Sequence, residues 1–294
     1  MGSVQPEVPP SGRNAWDNGS VPTLPSPTLG SELVVNGSDY IGVPEVTVAA
    51  MAALLAEARR FFEAPTEHKA RFEAAKTGTM TGWRRIGVEY SQTPDRPDLN
   101  ETFCYRHRDD GAPTVPEHPL RAACRKAQRV LDALAASALG SLVDATGVPQ
   151  EVEPIRTFDE SWLQLNWSRP STASREFIQD AHEDGHLLTL LLADAPGLEI
   201  LDPKQGWIAV WPTIDRVLVF AGECSALLVD GRVVPMMHRV RARPEVPTRL
   251  SVAYFVNPDL DQTLEPWIPG PRNHGVDLLR WGQLNPARFG LPAL

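Results

Sequence analysis

The chain has 294 residues, 42% hydrophobic and 22% charged, which excludes a disordered polypeptide and allows one large domain or two small ones. A formal net charge of −9 argues against a nucleic-acid groove or an anionic membrane surface as the main partner. No apolar run approaches the ~20 residues of a membrane span, and no signal-peptide pattern opens the chain. The three cysteines, Cys104, Cys124 and Cys224, form no CxxC pair and fit free thiols in a reducing cytoplasm. The expectation is a cytoplasmic monomer or weak homo-oligomer that acts on a small molecule, with neither nucleic acid nor membrane as partner. Arginine outnumbers lysine 24 to 4, which reads as the codon bias of a GC-rich genome.

Residues 1–38 are rich in Pro, Gly and Ser without periodic apolar spacing, which predicts a loose arm, with Met1-Gly2-Ser3 resembling a tag remnant. After Pro44, a favourable first-turn residue, Met51, Leu54, Leu55, Ala58, Phe61 and Phe62 recur at helical spacing. Pro65 opens a second, short helix to about Lys76. A third helix runs from about Pro119 to Thr146, with Leu120, Cys124, Ala127, Val130, Leu131, Leu134 and Leu142 on one stripe and Gly147 as its stop. Residues 39–160 thus form a helical region.

From Ser161 the pattern changes to short β-rich runs: Trp162 to Trp167, Leu187 to Leu192, Leu198 to Leu201, Trp207 to Val210, Val217 to Phe220, Ala226 to Val229 and Leu250 to Val256. Asp230-Gly231 signals a hairpin. Strands without intervening helices indicate an all-β sandwich or jelly roll over residues 161–260, followed by a tail at 261–294.

The densest polar cluster, His182-Glu183-Asp184-Gly185-His186, precedes the apolar run at Leu187. On a strand, His182 and Asp184 point to one face and Glu183 to the other. On a helix, His182 and His186 share a face, which is the HExxH pattern of zinc peptidases. Asp-Gly in mid-helix is unfavourable, and Thr189 and Leu192 stand where the extended peptidase pattern needs Gly and His, so the strand is the better reading.

His238 lies 56 residues beyond His182, and Arg249-Leu250-Ser251 follows 11 residues later. Two His and one carboxylate on a β-scaffold make the facial triad of non-haem Fe(II), which leaves coordination positions open. Period two puts Arg249, Ser251, Ala253 and Phe255 on one face. An unpaired guanidinium in a sandwich interior is costly, and a carboxylate ligand held by Arg249 and Ser251 removes that cost.

With these residues the sequence resembles the isopenicillin N synthase-like Fe(II)/2-oxoglutarate oxygenases. The likeness extends over roughly residues 40 to 260. It includes Phe61 to Pro65 with Glu67 and Lys69, Glu101 to Tyr105, the His182/Asp184 pair, Gly231-Arg232 leading to His238-Arg239-Val240, Arg249-x-Ser251 and Asn257-Pro258-Asp259. The resemblance implies a mostly β fold with N-terminal helices and a double-stranded β-helix (jelly-roll) core. It implies Fe(II) on His182, Asp184 and His238, with O2 as co-reactant, and 2-oxoglutarate held at its far carboxylate by Arg249 and Ser251. The family's Asn-x-Tyr element is Asn166-Trp167-Ser168 here: Asn166 carries over to the cosubstrate, whereas Ser168 replaces the Tyr. The family's N-terminal strand and helix look eroded, with 32–37 as their remnant. Asp184 speaks against the halogenase variant.

Thr102, Cys104 and Arg106 alternate onto one face of the strand at Glu101, and in the resembling enzymes that face meets substrate. Arg106 is the candidate partner of a substrate carboxylate, and Trp167 joins this set. His186 belongs to a turn or a polar shell, and His68, His107, His118 and His274 are expected to be solvated. Cys124 and Cys224 read as buried fillers. The expected activity is a 2-oxoglutarate-dependent dioxygenase that oxidises a C–H bond of a small molecule by hydroxylation, desaturation or cyclisation. Its expected setting is bacterial specialised metabolism such as antibiotic biosynthesis. The alternatives are an oxidase of isopenicillin N synthase type that needs no 2-oxoglutarate, and an HExxH zinc hydrolase.

Overall fold

The computed structural model describes residues 28–74, 80–91, 95–110, 117–152, 158–258, 265–274 and 280–281. Two antiparallel sheets form a jelly-roll sandwich, and helices cover the outer face of the larger one. In chain order the strands are β1 (Ser38–Gly42), β2 (Gly82–Arg84), β3 (Asn100–Arg106), β4 (Trp162–Ser168), β5 (Phe177–His182) and β6 (Leu188–Ala193). They continue with β7 (Leu198–Asp202), β8 (Gly206–Ala209), β9 (Arg216–Ala221), β10 (His238–Arg241) and β11 (Arg249–Val256). The larger sheet has the order β1-β9-β6-β11-β4-β3-β2, and the smaller one β5-β10-β7-β8.

Alternation along β11 shows how one strand serves two cores. Leu250, Val252, Tyr254 and Val256 enter the core between sheet and helices, whereas Ala253 enters the core between the sheets. The helical layer comprises α1 (Leu29–Asn36), α2 (Glu45–Glu63), α3 (Thr66–Lys69) and α4 (Pro119–Thr146). The apolar stripes read from the sequence are the buried faces of α2 and α4, apart from Leu55 and Val130, which are half-buried, and α4 ends before Gly147 as expected. The short helix after Pro65 gives way to a 3-10 turn at Ala70–Phe72, and Lys76 lies outside the described residues.

Four expectations need correction. The stretch read as loose up to residue 38 contains α1, whose Leu29 and Leu33 are fully buried against α4. A Cβ at Gly30 would lie 2.1 Å from the Ser141 carbonyl oxygen, so this close helix crossing depends on glycine. The stretch 32–37 read as a remnant is therefore part of an ordered helix that leads into β1, while residues 1–27 lie outside the described ones. The run at Ala226 is not a strand but part of helix α5 (Glu223–Leu228), because a four-residue apolar run fits a buried helical turn equally well. Asp230 and Gly231 do turn with positive φ, of 53° and 73°, but they leave a helix instead of joining two strands.

The last correction concerns His68 and His118, which are half-buried and meet at 3.4 Å between their Nε2 atoms within a ring cluster with Phe61 and Phe72. His118 Nδ1 also accepts from the Leu120 N–H at 3.0 Å and caps α4. Burial and the neighbouring His68 hold the His118 pKa below its ordinary value. His107 and His274 are exposed, as expected.

Buried Lys69 ties this layer to the sheet. Its ammonium donates to Glu101 at 2.5 Å and to the Phe62 carbonyl at 3.1 Å, and Trp83 Nε1 donates to the same carboxylate oxygen at 2.8 Å. Removing one partner of a buried pair leaves an uncompensated charge, so Lys69→Met is expected to cost about 3–5 kcal/mol, read from the shift in a urea unfolding midpoint.

Candidate functional site

β5 ends on His182 and β10 begins on His238, and the two residues pair directly across the smaller sheet. Direct antiparallel partners share a face, and their rings lie 4.2 Å apart. Asp184 follows from the bend after β5, so it reaches the histidines without being on the strand, contrary to the period-two reading. Helix α5 fixes this bend. Glu223 N–H donates to the Asp184 carbonyl at 2.8 Å, while Gly222 N–H and the Ser225 hydroxyl donate to the Leu187 carbonyl at 3.0 and 2.6 Å. A Cβ at Gly222 would lie 2.1 Å from the His186 carbonyl oxygen, so only glycine lets the helix start this close.

One ligand atom from each of His182, Asp184 and His238 lies within 4.8 Å of the others, the one such group of three among the described residues. The Nε2 atoms of His182 and His238 are 3.7 and 3.9 Å from Asp184 Oδ1, too far for hydrogen bonds. His182 Nδ1 faces the Asp180 carbonyl at 2.7 Å and His238 Nδ1 the Met236 carbonyl at 3.2 Å. A carbonyl can only accept, so each Nδ1 carries the proton and each Nε2 lone pair is free for a ligand. Thr189 donates to Asp184 Oδ2 at 2.6 Å, which leaves Oδ1 on the histidine side.

Burial, with His238 beside it, keeps His182 below its ordinary pKa and therefore neutral. Burial opposes the Asp184 charge, but His238, His182 and His186 hold its carboxyl below the usual value. Two imidazoles and one carboxylate converging on one gap fit a divalent non-haem metal. Thr189 orients the carboxylate, so Thr189→Val is expected to lower metal affinity by about 10–100-fold, measured by competitive chelator titration.

His186 does not join the group. It lies in the bend with Nδ1 2.8 Å from Asn257 Oδ1, and its ring packs on Trp162 and Phe255 at 4.8 and 4.3 Å. Since β5 ends at His182, no helix carries the HExxH spacing, and the zinc-hydrolase reading falls.

Strand pairing sets the neighbouring wall in rows. Arg249, Ser168 and Asn100 form one row, and Ser251, Asn166, Thr102 and Arg84 the next. Ala253, Gln164, Cys104 and Gly82 follow, then Phe255, Trp162 and Arg106. Arg249 is 2% exposed and donates through Nη1 to Ser251 Oγ at 3.1 Å, while its Nε and Nη2 have no hydrogen-bond partner. Burial pushes its pKa down to about 10 despite the attraction of Asp194. A buried cation with two idle donors in one plane is a receptor for a carboxylate. Asn166 Oδ1 accepts from Gln164 at 3.0 Å and Asn100 at 3.4 Å, which fixes the amide and leaves its NH2 as a donor.

Thr102 and Cys104 lie on this interior wall, and Cys104 Sγ donates to Gln164 Oε1 at 3.4 Å. Two substrate candidates do not survive. Arg106 is engaged by Asp109 at 2.8 Å and Glu160 at 3.3 Å, so its charge is balanced within the protein. Trp167 points the other way, stacked on Phe62 at 5.9 Å in the helix-side core, because it alternates with Asn166. Thr189, Gln164, Arg84 and Glu89 were not singled out from the sequence. The first two sit on strands that were read correctly, at interior positions that alternation identifies. Arg84 lies on a three-residue strand too short to show a period, and Glu89 follows it outside any strand. Asp259 lies outside the described residues.

Residues 168–258 match the family model described as the 2OG-Fe(II) oxygenase superfamily, and residues 36–129 match that described as non-haem dioxygenase in morphine synthesis N-terminal. The chain is similar to a homoarginine-6-hydroxylase of Glycine max, 27% identical over 239 residues that cover 71% of this chain and 70% of the relative. It is also similar to a 2-oxoglutarate-dependent dioxygenase of Aspergillus rugulosus, 26% identical over 237 residues, with 72% and 70% of the two chains covered. Its fold is similar to that of the dioxygenase for auxin oxidation in rice, with a TM-score of 0.68, 20% identity and coverage of 91% of both chains.

Proposed function

This chain belongs to the Fe(II)/2-oxoglutarate-dependent oxygenases, and from that premise we propose that His182, Asp184 and His238 hold the Fe(II) while Arg249, Ser251 and Asn166 hold 2-oxoglutarate. The observation that carries the second assignment is the Arg249 guanidinium, buried in the sandwich with two idle donors beside Ser251. Bound iron supplies the redox chemistry that couples decarboxylation of 2-oxoglutarate to succinate with oxidation of a second molecule by O2.

The protein's own part is positioning. Carbonyls of Asp180 and Met236 hold the imidazoles in the ligating tautomer, and Thr189 turns the Asp184 carboxylate. Arg249 and Ser251 grip the distal carboxylate, so the keto acid end is left for the metal. Gln164 and Asn100 aim the Asn166 amide, and the buried walls exclude water from the reacting atoms.

The substrate in this reading is a small molecule with an unactivated C–H bond, oxidised by hydroxylation, desaturation or ring closure in bacterial specialised metabolism, for example antibiotic biosynthesis. The arginine-rich, lysine-poor composition supports a GC-rich bacterial source, and the three free, buried cysteines support a reducing cytoplasm. The test is aerobic turnover of candidate substrates with Fe(II), with and without 2-oxoglutarate, with succinate matched to oxidised product by mass spectrometry. Gain of an oxygen atom marks hydroxylation, and loss of two hydrogens marks desaturation or cyclisation. Full turnover without 2-oxoglutarate would overturn the assignment and give Arg249 to a substrate carboxylate.

A further inference from the structure

The interior wall carries a second guanidinium, on half-buried Arg84, with one buried and idle donor. Arg84 stands in the row of Thr102, Asn166 and Ser251. Its Nε lies 3.6 Å from Glu89 Oε1 and its Nη2 donates to the Met80 carbonyl at 3.1 Å, but Nη1 is buried without a hydrogen-bond partner. Trp162, 3% exposed, has an equally idle Nε1. Both side chains border Cys104: Trp162 packs with it beside Met80, Phe255 and Trp281, and the Arg84 guanidinium interacts with its thiol electrostatically and by a side-chain hydrogen bond. This patch adjoins the metal gap, because Trp162 packs edge-on to His186 at 4.8 Å, two residues from Asp184.

A buried N–H without an acceptor is unfavourable, so two of them on one patch call for an acceptor that arrives with a ligand. Charge then decides which acceptor. Glu89 pairs with Arg84, although burial pushes its carboxyl up, and burial pushes the Cys104 thiol up to about 12, so the patch carries little net charge. A carboxylate entering it would be a second buried anion facing one compensated cation. An ammonium would face the Arg84 guanidinium and the two idle N–H groups, while the idle Thr102 hydroxyl in Arg84's row can either donate or accept. The idle Asn100 Oδ1 is an acceptor in the next row, beside Ser168 and Arg249.

Resting on the oxygenase reading above, we infer that the substrate presents an uncharged carbonyl oxygen, as in an amide, lactone or ketone, to Arg84 Nη1 and Trp162 Nε1. Its flat apolar body lies against Trp162, Phe255 and Met80. Arg84 and Trp162 are thus specificity-determining residues, and they leave the cosubstrate to Arg249.

The test uses three probes of nearly equal shape: phenylacetamide, phenylacetate and 2-phenylethylamine. Each is titrated anaerobically into the enzyme loaded with Fe(II) and 2-oxoglutarate, with tryptophan fluorescence or calorimetry as the readout. Phenylacetamide is expected to bind at least about tenfold tighter than either charged probe, the scale of one hydrogen bond from a charged donor. Arg84→Met erases that preference, and Trp162→Phe, which keeps a ring and loses the N–H, weakens the amide about three- to tenfold. Neither variant changes 2-oxoglutarate affinity. Should Arg84→Met misfold because Glu89 is left buried alone, the Arg84→Met/Glu89→Gln variant replaces it. Tighter binding of a charged probe, binding of none of the three, or a preference that survives the loss of Arg84 overturns the inference. Failure of the wild-type protein to bind 2-oxoglutarate sinks the oxygenase reading instead, and the order of the probes is read separately from it.

Discussion

Alanine at His182, Asp184 or His238 is expected to abolish tight Fe(II) binding and turnover together, because each contributes one of three converging ligand atoms. Changes outside the ligand set cost about 10–100-fold in metal affinity, and loss of a ligand is expected to exceed that range. Metal content after desalting and succinate release are the two measurements. His186→Ala is the control: its Nδ1 is tied to Asn257 and its ring to Trp162 and Phe255, so the variant should keep iron and lose mainly packing. Zn(II) should bind the same three ligands and inhibit, since it cannot change oxidation state. Loss of metal in His186→Ala with retention in Asp184→Ala would reverse the assignment.

Arg249→Ala is expected to weaken 2-oxoglutarate by about thirtyfold to several thousandfold while leaving iron in place, since losing one partner of a desolvated charge pair costs roughly 2–5 kcal/mol. Ser251→Ala removes one neutral donor to a charged acceptor and should cost about 1.5–3 kcal/mol. Stability gives an independent readout. In the ligand-free protein Arg249 is a buried cation with two unpartnered nitrogens, so Arg249→Met, similar in bulk, is expected to melt no lower than the parent. The parent should gain stability as 2-oxoglutarate is added and the variant should not, because a ligand stabilises only the state that binds it. An Arg249→Met protein that melts far lower and still responds to 2-oxoglutarate would make Arg249 a structural residue.

Much of the site could be read directly from the order of residues. Arg249 and Ser251 needed only period two along a well-marked strand, and the sheet places them side by side on the interior wall. His182, Asp184 and His238 were found as a pattern of residue types, although β10 and all of β5 before its His182 end were not recognised. Their sequences, FIQDAH and HRVR, are too polar to stand out as strands. They pair because the smaller sheet turns one face to an interior that holds polar ligands. Helix α5 was missed for the opposite reason, its apolar run being compatible with either structure.

The errors share one cause. Arg106 and Trp167 were judged by their own strands, but Asp109 and Glu160 claim the first, and Phe62 on α2 claims the second. His68 and His118 look solvated singly and meet only because α3 packs beside the start of α4, 50 residues away. The sequence by itself determined the helix stripes, the core strands of the larger sheet, the His182/Asp184/His238 pattern and the side-by-side placement of Arg249 and Ser251, because each depends on periodicity or on residue types. Tertiary structure alone decided which polar groups are left without partners, since a hydrogen bond or ion pair is used up by whichever residue the fold brings near. That remainder includes Arg249, Arg84 and Trp162, on which the ligand sites proposed above rest.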